Sequence, residues 1–95
     1  MIKVIARNRI KAGSLPAALS LYGELVEKTV AEPGCISYEL FQDHEDHDAL
    51  VMVEEWESLD ALDTHEKSEH FMRIFPKLKE LGTGDSDFHI YRKLL

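Results

Sequence analysis

The sequence predicts an α+β fold in which a four-stranded antiparallel sheet carries its helices on one face. Apolar and polar residues alternate with a period of two in three segments, and a fourth segment begins with a short apolar run; both patterns are typical of strands. Two other regions, one after the first strand and one before the last, repeat apolar residues at helical spacing. A chain of 95 residues has room for one domain, which we assign to residues 1–95.

The first strand and the first helix are predicted in the N-terminal third of the chain. Apolar alternation runs from Ile2 to Ile10 and is interrupted on its apolar side by Asn8. Ser14 is a good helix N-cap because its hydroxyl can accept a free amide hydrogen of the first turn. The apolar stripe that follows is typical of a helix packed on a core, and Pro33-Gly34 ends it.

The second and third strands are predicted over Cys35–Gln42 and Ala49–Glu57, joined by the polar connection Asp43–Asp48. The first half of the third strand is apolar on both sides, since Leu50 faces one way and Val51 the other. Such a strand lies inside its sheet and is covered on both faces. Helices can cover one face, so we expect a second copy of the chain on the other.

The remaining elements are two short helices and a closing strand. Ser58 and Ser68 can each cap a helix, and Pro76 predicts a kink or a fresh helix start in the second one. Residues 82–84, Gly-Thr-Gly, should end the helical region, and the last strand follows around Phe88. The order β-α-β-β-α-β with right-handed crossovers predicts a ferredoxin-like fold, which would pair with a copy of itself as a dimeric α/β barrel.

The amino-acid composition argues against several classes of function. The formal charge is −7 and no cluster of Lys or Arg is present, so nucleic acid is not an expected partner. The longest apolar run, Ala49–Val53, is far shorter than the ~20 residues of a membrane span. The single cysteine, Cys35, allows no internal disulfide. We therefore expect a cytoplasmic homodimer that does not associate with membranes.

The histidines do not predict a metal site. His44 and His47 lie in an acidic connection whose spacing matches no standard ligand set. His65 and His70 are five residues apart, whereas the zinc motif HExxH places its histidines four apart on one helix face. Five residues correspond to about 140° around a continuous helix, so these rings could converge only if the helix breaks at Lys67-Ser68.

A pocket for a flat ligand is predicted beside the third strand. Glu54 and Trp56 share one side of that strand with Met52, Tyr38 lies on the second strand, and His65 follows in the next helix. A carboxylate, an indole, a phenol and an imidazole beside apolar residues are typical of a pocket for a small planar molecule. Two interpretations stay open, since Trp56 could be a plain core residue and His70 a solvated one.

Three segments carry a resemblance to a known family: IKVIARNRIKAGS, EPGCISYEL and VMVEEWESLDALDTHEKSEHF. The chain resembles the antibiotic biosynthesis monooxygenase domain family, and within it the small quinol monooxygenases. The resemblance implies a dimer that oxidises an electron-rich aromatic, a quinol or anthrone, with dioxygen and no cofactor. Asn8 and Trp56 also match residues of the related haem-degrading monooxygenases, which leaves haem as an alternative.

The chemistry implied by this resemblance assigns roles to the candidate residues. His65 would promote deprotonation of the substrate, and Asn8 would donate an amide hydrogen to the developing oxyanion. Trp56, the third catalytic candidate, would supply an apolar wall. The expected substrate contacts are Tyr38, Met52, Glu54, His70 and Phe71. Asn8 and Trp56 both lie late in antiparallel strands, so they share a pocket only if Asn8 pairs near Met52 or Glu54.

Two other functions remain open at this stage. The stretch HEKSEHF, with GTG after the helix, is also similar to the isomerase that degrades a phosphorylated autoinducer, an enzyme that moves protons without oxygen. The non-enzymatic alternative is a small dimeric module that binds an aromatic or hydrophobic ligand.

Overall fold

The computed structural model describes residues 1–95, and its elements follow the predicted order. They are β1 (Ile2–Ile10), α1 (Leu15–Thr29), β2 (Cys35–Gln42), β3 (Ala49–Trp56), α2 (Leu59–Glu66), α3 (Glu69–Leu81) and β4 (Gly82–Arg92). The four strands form one antiparallel sheet in the order β2-β3-β1-β4. This arrangement confirms the ferredoxin-like α+β fold and the interior position of β3.

The two faces of the sheet differ in burial. Along β3, the residues Leu50, Met52, Glu54 and Trp56 are buried, whereas those between them are only half-buried. The buried face packs against the helices, where Leu25 of α1 and Ile74 of α3 complete the core. Burying a large apolar side chain contributes roughly 1.5–3 kcal/mol, so this layer carries most of the stability of the isolated chain.

The predicted caps are confirmed for two helices and wrong for the first. Ser58 Oγ accepts the Ala61 amide hydrogen (3.1 Å), and Ser68 Oγ accepts that of Phe71 (3.2 Å). Ser14 has helical backbone angles, and its side chain makes no capping hydrogen bond. Pro16 in the first turn of α1 has no amide hydrogen, so fewer donors need a cap there.

The C-terminal elements differ from the prediction in two places. Helix α3 runs through Pro76 to Leu81 as one helix, so the fresh helix start, one of the two predicted alternatives at Pro76, is wrong. Strand β4 begins at Gly82, six residues before Phe88, because this segment already pairs with the end of β1. The pairing register shifts between Asn8 and Ile10, and Thr83 Oγ1 donates to the Arg9 carbonyl (3.1 Å). Residues 82–84, which were expected only to end the helical region, are therefore part of β4. None of the helices combines the length and the apolarity needed to cross a bilayer.

Candidate functional site

A cavity of about 520 Å³ lies between the sheet and the helices. Its apolar walls are formed by Ala6, Leu25, Met52, Phe71, Phe75, Leu78 and Phe88. Asn8, Tyr22, Tyr38 and Glu54 add polar groups to these walls, and the remaining lining residues are Arg7, Glu66, Lys79, Ser86 and Asp87. An apolar space with few polar groups of fixed position suits a small aromatic molecule.

Glu54 is the carboxylate of this cavity, and its surroundings disfavour its charge. The side chain extends from the middle of β3 and the residue is 5% exposed. Burial raises the pKa of Glu54 to about 7, although the hydrogen bond from Trp56 opposes this shift; the negative charge of Glu66 adds to it. Trp56 Nε1 donates to Glu54 Oε1 at 2.9 Å and so fixes the carboxyl group. A carboxylate with this pKa can accept a proton near neutral pH.

Two tyrosines line the cavity beside Glu54 and Asn8. Tyr38 pairs with Glu54 in the sheet register and is 3% exposed. Burial raises the pKa of Tyr38 far above its usual value, and it raises that of Tyr22 as well, against a hydrogen bond with Asn8. Both phenols therefore keep their protons and can act as hydrogen-bond donors to a bound molecule.

Trp56 and His65 lie behind the cavity wall in an aromatic cluster. Both are almost completely buried, and their ring centroids are 4.7 Å apart. The His65 ring also contacts the cavity-lining rings of Phe71 (4.9 Å) and Tyr38 (5.2 Å), each nearly edge-on. The cluster supports the side of the cavity that carries Glu54, but neither Trp56 nor His65 is part of the lining.

Glu32 links the two histidines at the junction of α2 and α3. His65 Nδ1 and His70 Nε2 lie 2.7 Å and 2.8 Å from Glu32 Oε2. A carboxylate only accepts, so each ring donates through these nitrogens. Burial lowers the pKa of His65, although the hydrogen bond to Glu32 opposes this shift. The helix breaks at Lys67-Ser68, the condition under which the sequence allowed the two rings to converge.

The structure divides the predicted site residues between two places. Those that line the cavity are Asn8, Tyr38, Met52, Glu54 and Phe71; those that do not are Trp56, His65 and His70. The single pocket expected for Asn8 and Trp56 is therefore wrong. Asn8 pairs with Leu50 and Trp56 with Ile2, which separates their backbones by about 20 Å along the strands. The expectation that the His65 ring faces the cavity is also wrong, because Glu32 holds it behind Phe71.

Sequence reasoning missed Tyr22 and Glu32. Tyr22 belongs to the apolar stripe of α1, and only the packing of α1 on β1 places its hydroxyl beside Asn8. Glu32 lies in the turn after α1, 33 residues before His65, and no local pattern joins the two. A carboxylate beside a Pro-Gly turn is ordinarily solvated, so nothing in the local pattern indicates a role for it.

Comparison with protein families identifies the relatives of this chain. Residues 1–77 match the family described as Antibiotic biosynthesis monooxygenase. A proposed monooxygenase of Mycobacterium tuberculosis is 34% identical over 82 residues, which cover 86% of this chain and 80% of that protein. A protein of Synechocystis sp. is 28% identical over 90 residues; these cover 94% of this chain but 61% of the relative, which is the longer protein.

A solved structure agrees over the whole fold. The crystal structure of an antibiotic biosynthesis monooxygenase superposes with a TM-score of 0.95 at 40% sequence identity, and the match covers 100% of both chains. The strand order, the helix break and the closing strand therefore occur within a fold already seen in that structure.

Proposed function

The chain belongs to the antibiotic biosynthesis monooxygenase family, and from this premise we propose that it oxidises a small electron-rich aromatic, a quinol or an anthrone, with dioxygen. The reaction proposed uses no flavin, haem or metal. The observation that carries the proposal is Glu54, a buried carboxylate with a pKa raised to about 7 that faces an apolar cavity of about 520 Å³.

The proposed first step is deprotonation of the substrate by Glu54. Removing a proton from a phenol or an activated CH₂ group makes the ring a much better electron donor. Dioxygen takes one electron from this anion, and the resulting radical pair combines to a peroxide. Loss of water then leaves a new carbonyl. For an anthrone, one oxygen atom enters the product and the other leaves as water, so the substrate supplies all the electrons and no external reductant is needed.

The other cavity residues have supporting roles in this proposal. Asn8 donates an amide hydrogen to the oxyanion of the deprotonated substrate, and the Tyr22 hydroxyl is a second donor at the same end. Trp56 positions the Glu54 carboxylate from behind. Met52 and Phe71 provide apolar walls that keep water from the reacting anion. Compared with the sequence prediction, the role of base passes from His65 to Glu54.

The two alternative functions, isomerisation of a phosphorylated molecule and ligand binding without catalysis, would use the same cavity. A phosphorylated substrate needs free cationic groups, and the cationic residues in contact with this cavity are Lys79 and Arg7, the latter with its side chain turned to the open face of the sheet. Arg7 already pairs with Asp87 at 2.8 Å, while Glu54 and Glu66 add negative charge to the lining. This balance favours an uncharged aromatic over a phosphate ester.

We also propose a homodimer formed through the open face of the sheet. The half-buried residues Ile5, Val51 and Val53 and the exposed Phe41 lie on that face, which no helix of the chain covers. Packing against a second copy would remove this apolar area from water.

Replacing Glu54 with glutamine tests the proposed reaction. Oxygen uptake with menadiol or an anthrone should fall about 10²–10⁴-fold in E54Q, the usual contribution of a general base. In the unchanged protein, kcat/KM, which reports the pKa of groups in the free enzyme, should rise with pH through about 7, because Glu54 accepts a proton only after losing its own. This rise with pH should be absent in E54Q. It should remain in the control E27Q, which removes an exposed carboxylate from α1.

The same assay separates the three functions. Turnover that requires oxygen and persists with a chelator supports the proposal. Anaerobic turnover of a phosphorylated ketose would instead identify an isomerase, and binding without turnover of either substrate would identify a binding module. An E54Q variant as active as E27Q would remove Glu54 as the base.

A further inference from the structure

We propose that Glu32, His65 and His70 form a binding site for a divalent transition metal ion of the Zn²⁺ class. The three side chains meet where the turn after α1 approaches the junction of α2 and α3. None of them lines the cavity, so this site is separate from the proposed oxidation and does not rest on it.

The ligand set fits such an ion. Imidazole nitrogens and a carboxylate oxygen are common ligands of zinc and iron, and two histidines with one carboxylate leave further positions for water. The ligand atoms all lie within 4.8 Å of one another, and each ring nitrogen is less than 3 Å from Glu32 Oε2. Neighbouring ligands on an ion with bonds of about 2.0–2.2 Å lie roughly 3 Å apart, so binding requires shifts of about 1–2 Å. The hydrogen that each ring nitrogen donates to Glu32 would move to the other nitrogen of the same ring, which frees a lone pair for the ion.

The surrounding structure holds the ligands in place before an ion arrives. Ser68 fixes the break between the helices, because its hydroxyl donates to the His65 carbonyl (2.7 Å) and accepts the Phe71 amide hydrogen. The His65 ring is packed between Trp56 and Phe71 and is 1% exposed. Ligands fixed by packing and hydrogen bonds lose little freedom on binding, which favours affinity.

Partial exposure gives an ion access to the site. The Glu32 and His70 side chains are 13% and 15% exposed, so one side of the cluster meets solvent while His65 closes the other. The formal charge of −7 also favours the approach of a cation. The competing interpretation is that Glu32 only holds the two imidazole rings in place by hydrogen bonds. The two interpretations predict different affinities for Zn²⁺.

Titration with Zn²⁺ distinguishes the two interpretations. By calorimetry, the unchanged protein should bind one ion per chain. E32Q and H70A should bind it at least about tenfold more weakly, since each loses a ligand. Glutamine keeps an oxygen that can accept from both rings, so E32Q should preserve the fold, which circular dichroism in EDTA would verify. The control is the double variant H44A/H47A, which removes two exposed histidines and should leave the affinity unchanged.

Thermal melting gives a second measurement. Zn²⁺ at a hundredfold excess over its Kd should raise the Tm of the unchanged protein by about 10–20 °C, with a much smaller rise for E32Q. The proposal is overturned if the unchanged protein binds no Zn²⁺, if E32Q and H70A both bind it equally well, or if H44A/H47A abolishes binding.

Discussion

Glu54 illustrates how position alone changes the chemistry of a side chain. Glu54 and Glu55 are adjacent in β3, but they point to opposite faces of the sheet. Glu55 pairs with Lys3 at 3.2 Å near solvent, whereas Glu54 is buried and has a pKa raised to about 7. The alternation of a strand therefore separates an ordinary surface carboxylate from a candidate base within one residue.

Replacing Trp56 with phenylalanine should raise the pKa of Glu54 further. The indole N–H stabilises the charged carboxylate, and a hydrogen bond to a charged group contributes roughly 1.5–3 kcal/mol, or about one to two pKa units. The pH at which kcat/KM rises should therefore increase by about that amount. Stopped-flow or oxygen-electrode rates, measured below the melting temperature and corrected for autoxidation, would give this profile.

The double variant W56F/E54Q provides the control for this prediction. Without a carboxylate at position 54, the rate should not rise with pH through the titration of that group. Adding W56F to E54Q should therefore leave the pH dependence of the rate unchanged. If the rate rises at the same pH in W56F and in the unchanged protein, Trp56 does not influence the pKa of Glu54.

At the scale of elements, two junctions determine the site. The break between α2 and α3 brings His65 and His70 to one carboxylate, which a continuous helix could not do. The turn before β2 lets α2 approach the sheet, because Gly34 has a φ of +86° and lies against Ala61. The junction of α2 and α3 depends on the Ser68 cap, and the turn before β2 depends on Gly34.

Replacing Gly34 with alanine should strongly destabilise the fold. The new Cβ would lie 2.6 Å from the Ala61 Cβ, in addition to the strain of a positive φ. Gly13 is a matched control, since its φ is +82° and nothing lies within 4 Å of the methyl group that alanine would add there. G13A should therefore cost only the strain, about 1–2 kcal/mol. Urea denaturation should give a loss for G34A that exceeds that of G13A by about 1–3 kcal/mol. Equal losses would mean that α2 shifts away from the turn without cost.

At the scale of the whole molecule, the sheet has one face covered by helices and one open. The open face combines apolar residues with ion pairs such as Lys3–Glu55 and Arg7–Asp87. A monomeric domain of this size buries only about 60–65% of its unfolded surface, so association through this face would add substantially to its stability.

Replacing Val53 with aspartate should therefore break the proposed homodimer. The charge would enter the middle of the open face, where pairing of two copies would bury it without a partner. Sedimentation equilibrium should give twice the chain mass for the unchanged protein and a shift towards the single-chain mass for V53D. M72D adds the same charge at a site on α3 that is 63% exposed, and it should remain dimeric. A single-chain mass for the unchanged protein would contradict the proposal directly.

The sequence by itself determined the fold. Strand and helix periods, caps and Pro-Gly breaks are local properties, so they predict β2 with its observed bounds and β3 to within one residue. Alternation alone likewise places position 54 on the same face of β3 as Met52 and Trp56, and the segments that resemble the family are readable without a structure.

Only the tertiary structure decided which candidate residues meet. The strand register separates Trp56 from Asn8, and the approach of the turn after α1 brings Glu32 to His65 across 33 residues of chain. Register and packing depend on contacts between distant segments, and so do burial and the pKa of Glu54. Local patterns constrain the backbone of each segment, but the chemistry of this site arises from how the segments pack together.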